Sequence, residues 1–336
     1  MNIILFLSVV LSLLVTIIVL PKWIKKAKQI GLLWNDMNKY NKRQVAGSGG
    51  VVVVGAFILG VLSYVAIRIF ILDIDTSTIE IFALLTTITL AAFIGLVDDI
   101  LGWVRGGLSP RSRILMTIIA AIPLMVINAG YSSINLPFMG LTNVGILYAL
   151  IFIPVGIVGA VTTYNFLAGF NGLESSQGII ILLFLSFVAY LTGSSWIALI
   201  GLCMVASLLI FYFYNKIPAK VFPGDVLTYS IGGLIACMAI LGNFEKIAVF
   251  IFIPYIIETV LKVRGRLKKQ SFGIPQRDGS LEMPYKKIYG LEHWAIKIIK
   301  KIKGKAYEKD VVYLINAIQI IICLLALIIF KESLFI

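Results

Sequence analysis

Long runs of apolar residues, separated by short polar segments, recur along the whole chain. Residues 3–20, 49–71, 79–97 and 311–330 are the clearest of these runs. Each matches the ~18–20 residues that a helix needs to cross roughly 30 Å of hydrocarbon. Apolar and polar residues do not alternate within them, which excludes a transmembrane β-barrel. The pattern therefore predicts an all-α, polytopic membrane protein.

When the weaker apolar runs are included, the pattern predicts about ten transmembrane helices in a single domain of residues 1–336. The predicted spans are residues 3–20, 49–71, 79–97, 113–129, 144–163, 177–192, 196–213, 226–242, 246–263 and 311–330. The largest polar segment, residues 264–310, is a predicted cytoplasmic loop. Its second part, IYGLEHWAIKIIKKIKGK, resembles a basic amphipathic helix lying in the membrane interface.

Composition and charge agree with this class. The chain is 60% hydrophobic and 13% charged, whereas soluble domains are about half apolar and a quarter charged. A net charge of +13 in a membrane protein first indicates anionic lipid and cytoplasmic loops, so we expect no nucleic-acid partner. If the amino terminus lies outside, all but Arg68, Lys246 and Lys331 of the 29 Lys and Arg residues lie on or beside one face. The positive-inside rule makes that face cytoplasmic, and we expect the active site there.

Two adjacent carboxylates, Asp98 and Asp99, are predicted to end the third helix at this face. Ionisable side chains at the edge of the hydrocarbon are costly unless they are paired or functional. Adjacent helical residues point about 100° apart, so one would face a site while the other braces it or binds a metal through water. A plain polar helix end is the alternative.

A polar segment, TYNFLAGFNGLESSQG, follows the fifth predicted helix. Its candidate site residues are Asn165, Gly169, Asn171 and Glu174. An amide oxygen can bind a hard cation, an amide can hydrogen-bond the edge of a nucleobase, and glycine lets a ligand approach the backbone. A plain connection between two helices is the alternative.

Asp225 precedes the eighth predicted helix in FPGDVLTYSIGG. A helix N-terminus favours a carboxylate, so capping alone would explain it. Because Asp225 shares the predicted cytoplasmic face with Asp98, Asp99 and Asn165, these four side chains are candidates for one Mg²⁺ site that substrate phosphates complete. Mn²⁺ is the alternative metal.

Basic residues on the same face are candidates for binding a pyrophosphate. They include Arg113, after the aspartate pair, and Lys268, Lys269 and Arg277, near the start of the large loop. Membrane topology or lipid contact would explain each of them equally well. The single histidine, His293, excludes a histidine-rich metal site.

Four motifs in order carry a family resemblance: DD at 98–99, NxxAGxNGLE at 165–174, FxGD at 222–225 and LEMxY at 281–285. Over nearly the whole chain they resemble the polyprenyl-phosphate N-acetylhexosamine-1-phosphate transferases. DMNK at 36–39, SxGV at 48–51 and GIPQRDGSLEMPY at 273–285 are most similar to the eukaryotic and archaeal branch of glycosyltransferase family 4, which makes GlcNAc-diphospho-dolichol.

The resemblance implies roles for individual residues. Asn165 and Asp225 would bind Mg²⁺, with Asp98 and Asp99 beside the metal and the acceptor phosphate. The implied contacts to the donor nucleotide are Phe222 against the uracil ring, Asn171 at its edge, Gly169 beneath the uridine and the backbone of Met37. Arg113 aligns with a lysine of the family, and a phosphate clamp remains its implied role.

The implied reaction transfers GlcNAc-1-phosphate from UDP-GlcNAc to dolichyl or another polyprenyl phosphate and releases UMP, the first lipid-linked step of protein N-glycosylation. One departure concerns the basic residues that the eukaryotic branch places before IP, because Ser271, Phe272 and Gly273 stand there instead. The residues that would substitute for them are Arg264, Arg266, Lys268, Lys269 or Arg277. The implied setting is the lipid bilayer of an archaeal cell or the endoplasmic reticulum, and a homodimer stays open.

Three other readings remain: transfer of a different UDP-N-acetylhexosamine phosphate, an ion-coupled transporter, and a nonenzymatic scaffold. Acidic residues of carriers tend to lie near the bilayer midplane on interrupted helices. Here Asp98, Asp99 and Asp225 lie at one interface, and no inverted repeat is evident. The sequence therefore favours an enzyme.

Overall fold

The computed structural model describes residues 2–136 and 140–334, which are mostly helical. Within these residues, eight helices are long and apolar enough to cross a membrane. They are Ile3–Ile30, Gly50–Phe70, Thr78–Gly102, Tyr148–Phe166, Leu173–Leu191, Ser195–Asn215, Asp225–Gly242 and Glu308–Ile329. The prediction of an integral, mainly α-helical membrane protein is confirmed at this level.

The α-helices follow one another along the described chain. Their bounds are α1 Leu7–Ile30, α2 Gly50–Phe70, α3 Thr78–Arg105, α4 Pro110–Val126, α5 Ile153–Phe166, α6 Leu173–Leu191, α7 Ser195–Asn215, α8 Asp225–Gly242, α9 Glu245–Ile251, α10 Ile253–Arg264, α11 Leu291–Lys303, α12 Glu308–Ile329 and α13 Lys331–Leu334. A 3₁₀ turn at Ile3–Phe6 precedes α1, and a π-helical turn at Tyr148–Phe152 precedes α5. The predicted interfacial segment forms α11.

Two of the ten predicted spans are shorter than the eight long helices. Residues 113–129 correspond to α4, which has 17 residues. Residues 246–263 are divided between α9 and α10, which meet at Phe252 just before Pro254. Proline supplies no backbone N–H to continue a helix but suits a first helical turn, which explains the division. A total of about ten spans therefore stays a prediction.

Several helices extend beyond their predicted ends. Helix α1 continues to Ile30, α3 continues to Arg105, and α6 begins at Leu173. An apolar run marks only the part of a helix that lies in hydrocarbon. In α1, for example, lysine, alanine and glutamine favour the helical conformation and continue the helix beyond that part. Asp98 and Asp99 accordingly lie inside α3, and the predicted polar loops are shorter than expected.

Short antiparallel strands, which the all-α prediction did not include, join the polar segments. They are β1 Leu33–Asn35 with β2 Gln44–Ala46, β3 Ser133–Leu136 with β4 Gly140–Asn143, and β5 Ile274–Pro275, β6 Ser280–Glu282 and β7 Ala306–Tyr307 in one sheet. Strands this short give no periodic hydrophobic signal. The last sheet pairs Ser280 with Tyr307 and so ties the large loop to the segment that enters α12.

Helix α8 is the most enclosed of the long helices, with 83% of its apolar stretch buried, whereas α1 and α12 are buried over only 28%. Helices α3 and α8 approach so closely that a Cβ atom at Gly95 would lie 2.4 Å from the carbonyl oxygen of Asp225. Glycine permits this contact because it has no side chain. The contact places the aspartate pair of α3 beside the start of α8.

Candidate active site

Three carboxylates from two helices line one cavity of about 300 Å³. Asp98 and Asp99 come from α3, and Asp225 is the first residue of α8. The other lining residues are Trp34, Gly102, Gly106, Gly107, Arg113 and Gly224. The structure thus brings together four of the residues selected from the sequence, namely the three aspartates and Arg113.

Asp99 connects three segments of the chain. Its Oδ2 accepts a hydrogen bond from the Ser48 hydroxyl at 2.9 Å, and its Oδ1 accepts one from the backbone N–H of Asp225 at 2.7 Å. Gly224 fits beside this carboxylate because it has no Cβ atom. A Cβ there would clash with Oδ2 of Asp99, at 2.2 Å. The φ of +73° at Gly224 also favours glycine. Both oxygens of Asp99 therefore have a role in holding the cavity together.

Asp98 is buried and paired with Arg113. The Nε atom of Arg113 lies 2.6 Å from Oδ2 of Asp98, and one of its terminal nitrogens donates to Oδ1 at 3.0 Å. Oδ1 also accepts the backbone N–H of Leu108 at 2.7 Å, and the Tyr229 hydroxyl lies 3.4 Å from Oδ2. These partners compensate the cost of burying the carboxylate. The guanidinium keeps further N–H donors for an anion in the cavity.

Asp225 differs from the other two aspartates. Its carboxylate lines the cavity beside those of Asp98 and Asp99, and its backbone N–H is held by Asp99. Asn165, the other predicted metal ligand, lies at the end of α5 and is outside the cavity lining. Its Oδ1 accepts a hydrogen bond from the Thr228 hydroxyl at 2.9 Å, one turn beyond Asp225 on α8.

The oxygen atoms of this arrangement fit a divalent metal ion that the substrate helps to hold. Mg²⁺ typically takes one or two protein carboxylates and completes its shell with water and substrate phosphates. Asp225 offers a carboxylate that lines the cavity, and the Oδ1 of Asn165 keeps a second lone pair. Within residues 2–136 and 140–334, no group of three or more His, Cys, Asp and Glu side chains forms a metal cluster of its own.

A second polar region, which we name the loop junction, comprises Asp36–Lys39, Gly169–Asn171, Gly273 and Glu308. The Asn171 Nδ2 donates to Oδ2 of Asp36 at 2.7 Å. Asp36 accepts the N–H of Asn38 at 3.2 Å with its other oxygen, which orders the turn after β1. Two predicted nucleotide contacts, Met37 and Asn171, thus lie on segments that bond directly to each other.

Asn38 links three segments within the loop junction. Its Nδ2 donates to the carbonyl of Gly169 at 2.8 Å, and its Oδ1 accepts the backbone N–H of Gly273 at 3.1 Å. The ring of Phe272 lies against Gly169, where an added Cβ would come within 2.7 Å of a ring carbon. Gly169 has a φ of +105°, so glycine suits both the conformation and the contact.

Glu174 and Phe222 support the neighbouring backbone. Oε1 of Glu174 accepts the N–H of Gly169 at 2.8 Å, so this buried carboxylate holds the loop rather than lining the cavity. Phe222 donates its N–H to the carbonyl of Ala46 at 2.8 Å and accepts from Gly49 N–H at 2.9 Å. The backbone of Phe222 is therefore fixed between β2 and the start of α2, two residues before Gly224.

The predicted basic residues of the large loop are exposed and lie outside the cavity lining. The ammonium of Lys269 lies 4.7 Å from the centre of the Tyr285 ring, a cation–π contact. Arg277 donates to the Tyr40 hydroxyl at 3.3 Å. Of the basic residues selected from the sequence, only Arg113 lines the cavity, so a phosphate-binding role for Lys268, Lys269 and Arg277 stays a prediction.

Sequence reasoning missed several residues of the site. Trp34 on β1 lines the cavity, and its ring lies 3.2 Å from the position of a Cβ at Gly47. Ser48 was noted only within the motif SxGV, although it bonds Asp99. Tyr229 lies one turn after Asp225, which is a helical spacing that could have indicated it. For Trp34, in a short polar segment, the sequence offers no comparable signal.

Membrane-length helices around a cavity of three carboxylates and one arginine define an integral membrane protein with a polar site at one end of its helices. Residues 81–243, which include all three aspartates, match glycosyl transferase family 4. A protein of Saccharolobus solfataricus named "Putative UDP-N-acetylglucosamine--dolichyl-phosphate N-acetylglucosaminephosphotransferase" is 34% identical over 324 residues, 96% of this chain and 95% of its own length. The chain therefore belongs to glycosyl transferase family 4.

Two further relatives cover most of the chain. A Sulfolobus acidocaldarius protein that carries the same name is 32% identical over 325 residues, which is 96% of this chain and 95% of that protein. The phospho-N-acetylmuramoyl-pentapeptide-transferase of Streptococcus agalactiae is 30% identical over 268 residues, 76% of this chain and 79% of its own length. The predicted family resemblance is confirmed.

Proposed function

We propose that this protein transfers GlcNAc-1-phosphate from UDP-GlcNAc to dolichyl or another polyprenyl phosphate. The products would be a lipid-linked diphosphate sugar and UMP, the first lipid-linked step of protein N-glycosylation. The observation that carries the proposal is the convergence of Asp98, Asp99, Asp225 and Arg113 on one cavity. The two archaeal relatives that carry the corresponding enzyme name support the choice of sugar and lipid.

In this reaction an oxygen of the lipid phosphate attacks the phosphorus that bears GlcNAc. The new P–O bond forms as the bond from that phosphorus to the bridging oxygen of the pyrophosphate breaks, and UMP leaves with the electron pair. A phosphate monoester has a second pKa of about 6, so the attacking group is already largely deprotonated at neutral pH. The residues of the cavity therefore have mainly to position two anions and to reduce their repulsion.

Each cavity residue has a part in this proposal. Mg²⁺, when bound, would neutralise phosphate charge, and Asp225 and Asn165 are the residues that would hold it. The guanidinium of Arg113 is fixed by Asp98 and can donate to phosphate oxygens with its remaining N–H groups. Asp99 holds the start of α8 against α3 through the Asp225 N–H, which sets the position of the Asp225 side chain.

The loop junction is the proposed site of the uridine. Because Asp36 can only accept hydrogen bonds, it fixes the orientation of the Asn171 amide, with Nδ2 toward Asp36. With that orientation, the Oδ1 of Asn171 is the amide atom that would accept the N–H of a uracil ring. Met37, Gly169 and Phe222 complete this proposed uridine site. We further propose that the site faces the cytoplasm, since most basic residues lie at this end.

Transfer of radiolabel from UDP-GlcNAc to added dolichyl phosphate, by the purified protein in detergent, tests the proposal. We expect labelled lipid and an equal amount of UMP, with both lost when EDTA is added and restored by Mg²⁺. Absence of labelled lipid, with UDP-GlcNAc intact, would refute the proposed reaction. UDP-N-acetylmuramoyl-pentapeptide is the second donor to test, because the relative from Streptococcus agalactiae is 30% identical. Labelled lipid from that donor alone would assign a different sugar.

A further inference from the structure

Glu308 stands at the start of the last long helix, far along the chain from the segments it touches. Its side chain is 4% exposed, and both carboxylate oxygens have partners. Oε1 accepts the backbone N–H of Asn171 at 2.8 Å, and Oε2 forms an ion pair with the ammonium of Lys39. One carboxylate thus joins segments that lie 269 and 137 residues away in the sequence.

These contacts close a ring of interactions within the loop junction. Glu308 holds the backbone of Asn171, the side chain of Asn171 bonds Asp36, and the turn from Asp36 leads back to Lys39, which pairs with Glu308. A ring of this kind fixes both the position of Asn171 and the orientation of its amide. Displacement of any one member would release the others.

The location of Glu308 is itself well fixed. It directly follows β7, which pairs with β6 through Ala306 and Leu281. It also occupies the first turn of α12, where the positive end of the helix dipole favours a carboxylate. The carboxylate is therefore held by the fold before any ligand binds, and it can transmit that order to the two loops it contacts.

We propose that Glu308 is a positioning residue for the nucleotide part of the donor. It does not line the cavity that holds Asp98, Asp99 and Asp225. Instead it acts through Asn171 and Lys39, so that the uridine-binding surface is preformed when the donor arrives. This inference rests on the proposed function, since it assumes a nucleotide donor at the loop junction.

The proposal predicts a specific kinetic signature. Because Glu308 supports donor binding without touching the reacting atoms, its loss should raise the KM for UDP-GlcNAc and leave kcat and the KM for dolichyl phosphate nearly unchanged. Hydrogen bonds and ion pairs that involve a charged group contribute enough to expect an effect of about ten- to hundredfold. A purely structural role would lower all activities together through the amount of folded protein.

The test compares Glu308→Gln, Lys39→Met and the double variant with a control, Asp310→Asn. Asp310 is on the same helix and pairs with Lys303 at the surface, at 3.0 Å. We expect Glu308→Gln and Lys39→Met each to raise the KM for UDP-GlcNAc, with less than additive effects in the double variant, while Asp310→Asn matches the wild type. Amide exchange of residues 167–174 should rise in Glu308→Gln but not in the control.

Each result decides between the hypotheses. If the wild type transfers GlcNAc-1-phosphate and Glu308→Gln behaves like Asp310→Asn in both KM and amide exchange, the positioning role is wrong. If the wild type transfers nothing from UDP-GlcNAc, the proposed function fails, and amide exchange still tests whether Glu308 orders the loop. If Glu308→Gln does not fold, Lys39→Met replaces it, because Lys39 is 30% exposed and tolerates truncation better. An unchanged KM in a folded Lys39→Met would then overturn the proposal.

Discussion

The backbone N–H of Asp225 donates a hydrogen bond to Oδ1 of Asp99 at 2.7 Å, and this bond joins the first residue of α8 to the inside of α3. The N–H groups of a first helical turn have no partner within their own helix, so a carboxylate from a neighbouring helix satisfies one of them. As a result, the backbone of Asp225 is held by α3 while its side chain lines the cavity. Asp99 therefore holds α8 in place, whereas the side chain of Asp225 faces the cavity.

The first prediction concerns Asp225→Asn. We expect this variant to fold and insert but to lose transfer by about a hundredfold or more, because a neutral amide replaces a carboxylate that lines the cavity. The measurement is transfer from UDP-GlcNAc at saturating Mg²⁺, with Asp73→Asn at the exposed opposite end as control. Near-normal turnover of Asp225→Asn would remove this residue from the site.

The second prediction separates binding from turnover for the aspartate pair. We expect Asp98→Asn and Asp99→Asn to lower kcat more than they weaken the binding of UDP, since both lie at the cavity and neither belongs to the loop junction. In Asp98→Asn the amide would also face the Arg113 guanidinium and lose the ion pair. Calorimetric titration with UDP, run beside turnover assays, measures both quantities. Equal losses in the two would contradict this division.

The convergence of the three aspartates was predictable from the sequence. Helices α3 and α8 are long apolar runs, and their polar ends carry Asp98, Asp99 and Asp225 on the same predicted face. Once the helices pack, those ends must meet at one end of the bundle. The family motifs added the roles of Asn165 and Asn171, and these roles remain proposals.

The remaining contacts depend on three-dimensional packing that leaves no local pattern. Glu308 is the first residue of a helix, where capping alone would explain a carboxylate, and its partner Lys39 lies 269 residues away. Trp34 lines the cavity only because a short β-hairpin turns it there. Short strands and long-range pairs of polar side chains carry no periodicity, so the sequence could not show them.

The third prediction concerns which cation meets the donor pyrophosphate. We expect Arg113→Ala to lower donor affinity and turnover, because Arg113 is the basic residue in the cavity lining. Lys268→Ala, Lys269→Ala or Arg277→Ala should weaken donor binding about ten- to hundredfold if the large loop supplies a further cation. Lys303→Ala, on the distal helix α11, is the control. If the three loop variants match that control, their charges serve membrane topology and lipid contact.

The fourth prediction compares two glycines that both have a positive φ. Gly224 has a φ of +73°, and a Cβ there would lie 2.2 Å from Asp99, whereas Gly193 has a φ of +79° and open space around it. Both substitutions place alanine at a positive φ, which costs about 1–3 kcal/mol of backbone strain. Only Gly224→Ala should also displace Asp99 and reduce transfer strongly. Equal activity of the two folded variants would show that the position of Asp99 is unimportant.

The last prediction concerns the pH dependence of stability and rests on Glu292 at the start of α11. Glu292 is fully buried, and among the described residues its carboxylate oxygens have no hydrogen-bond partner. Burial raises its pKa well above the ordinary value of 4.5, and the neighbouring Glu258 raises this pKa further while Lys262 lowers it. His293 beside it has a pKa lowered to about 4, chiefly by burial.

The direction in which stability changes with pH follows from the protons that the folded and unfolded chains bind. Above pH 4.5 the unfolded chain loses the Glu292 proton that the folded protein keeps, so the free energy of unfolding falls by up to about 1.4 kcal/mol per pH unit until the folded pKa is reached. His293 acts in the opposite direction, since its stabilising contribution is complete above pH 6.5 and is lost as the pH falls toward about 4.

Glutamine at position 292 has no proton to lose, whereas His293 is present in both proteins. The difference between Glu292→Gln and the wild type therefore removes the His293 contribution and reports on the interacting pair Glu292 and Glu258. We expect Glu292→Gln and the wild type to have similar apparent melting temperatures at pH 4. As the pH rises to 8, the melting temperature of the variant should increase relative to that of the wild type. The control Glu332→Gln, at an exposed position, should show no such trend. A difference that is constant across this range would mean that Glu292 is already ionised in the folded protein.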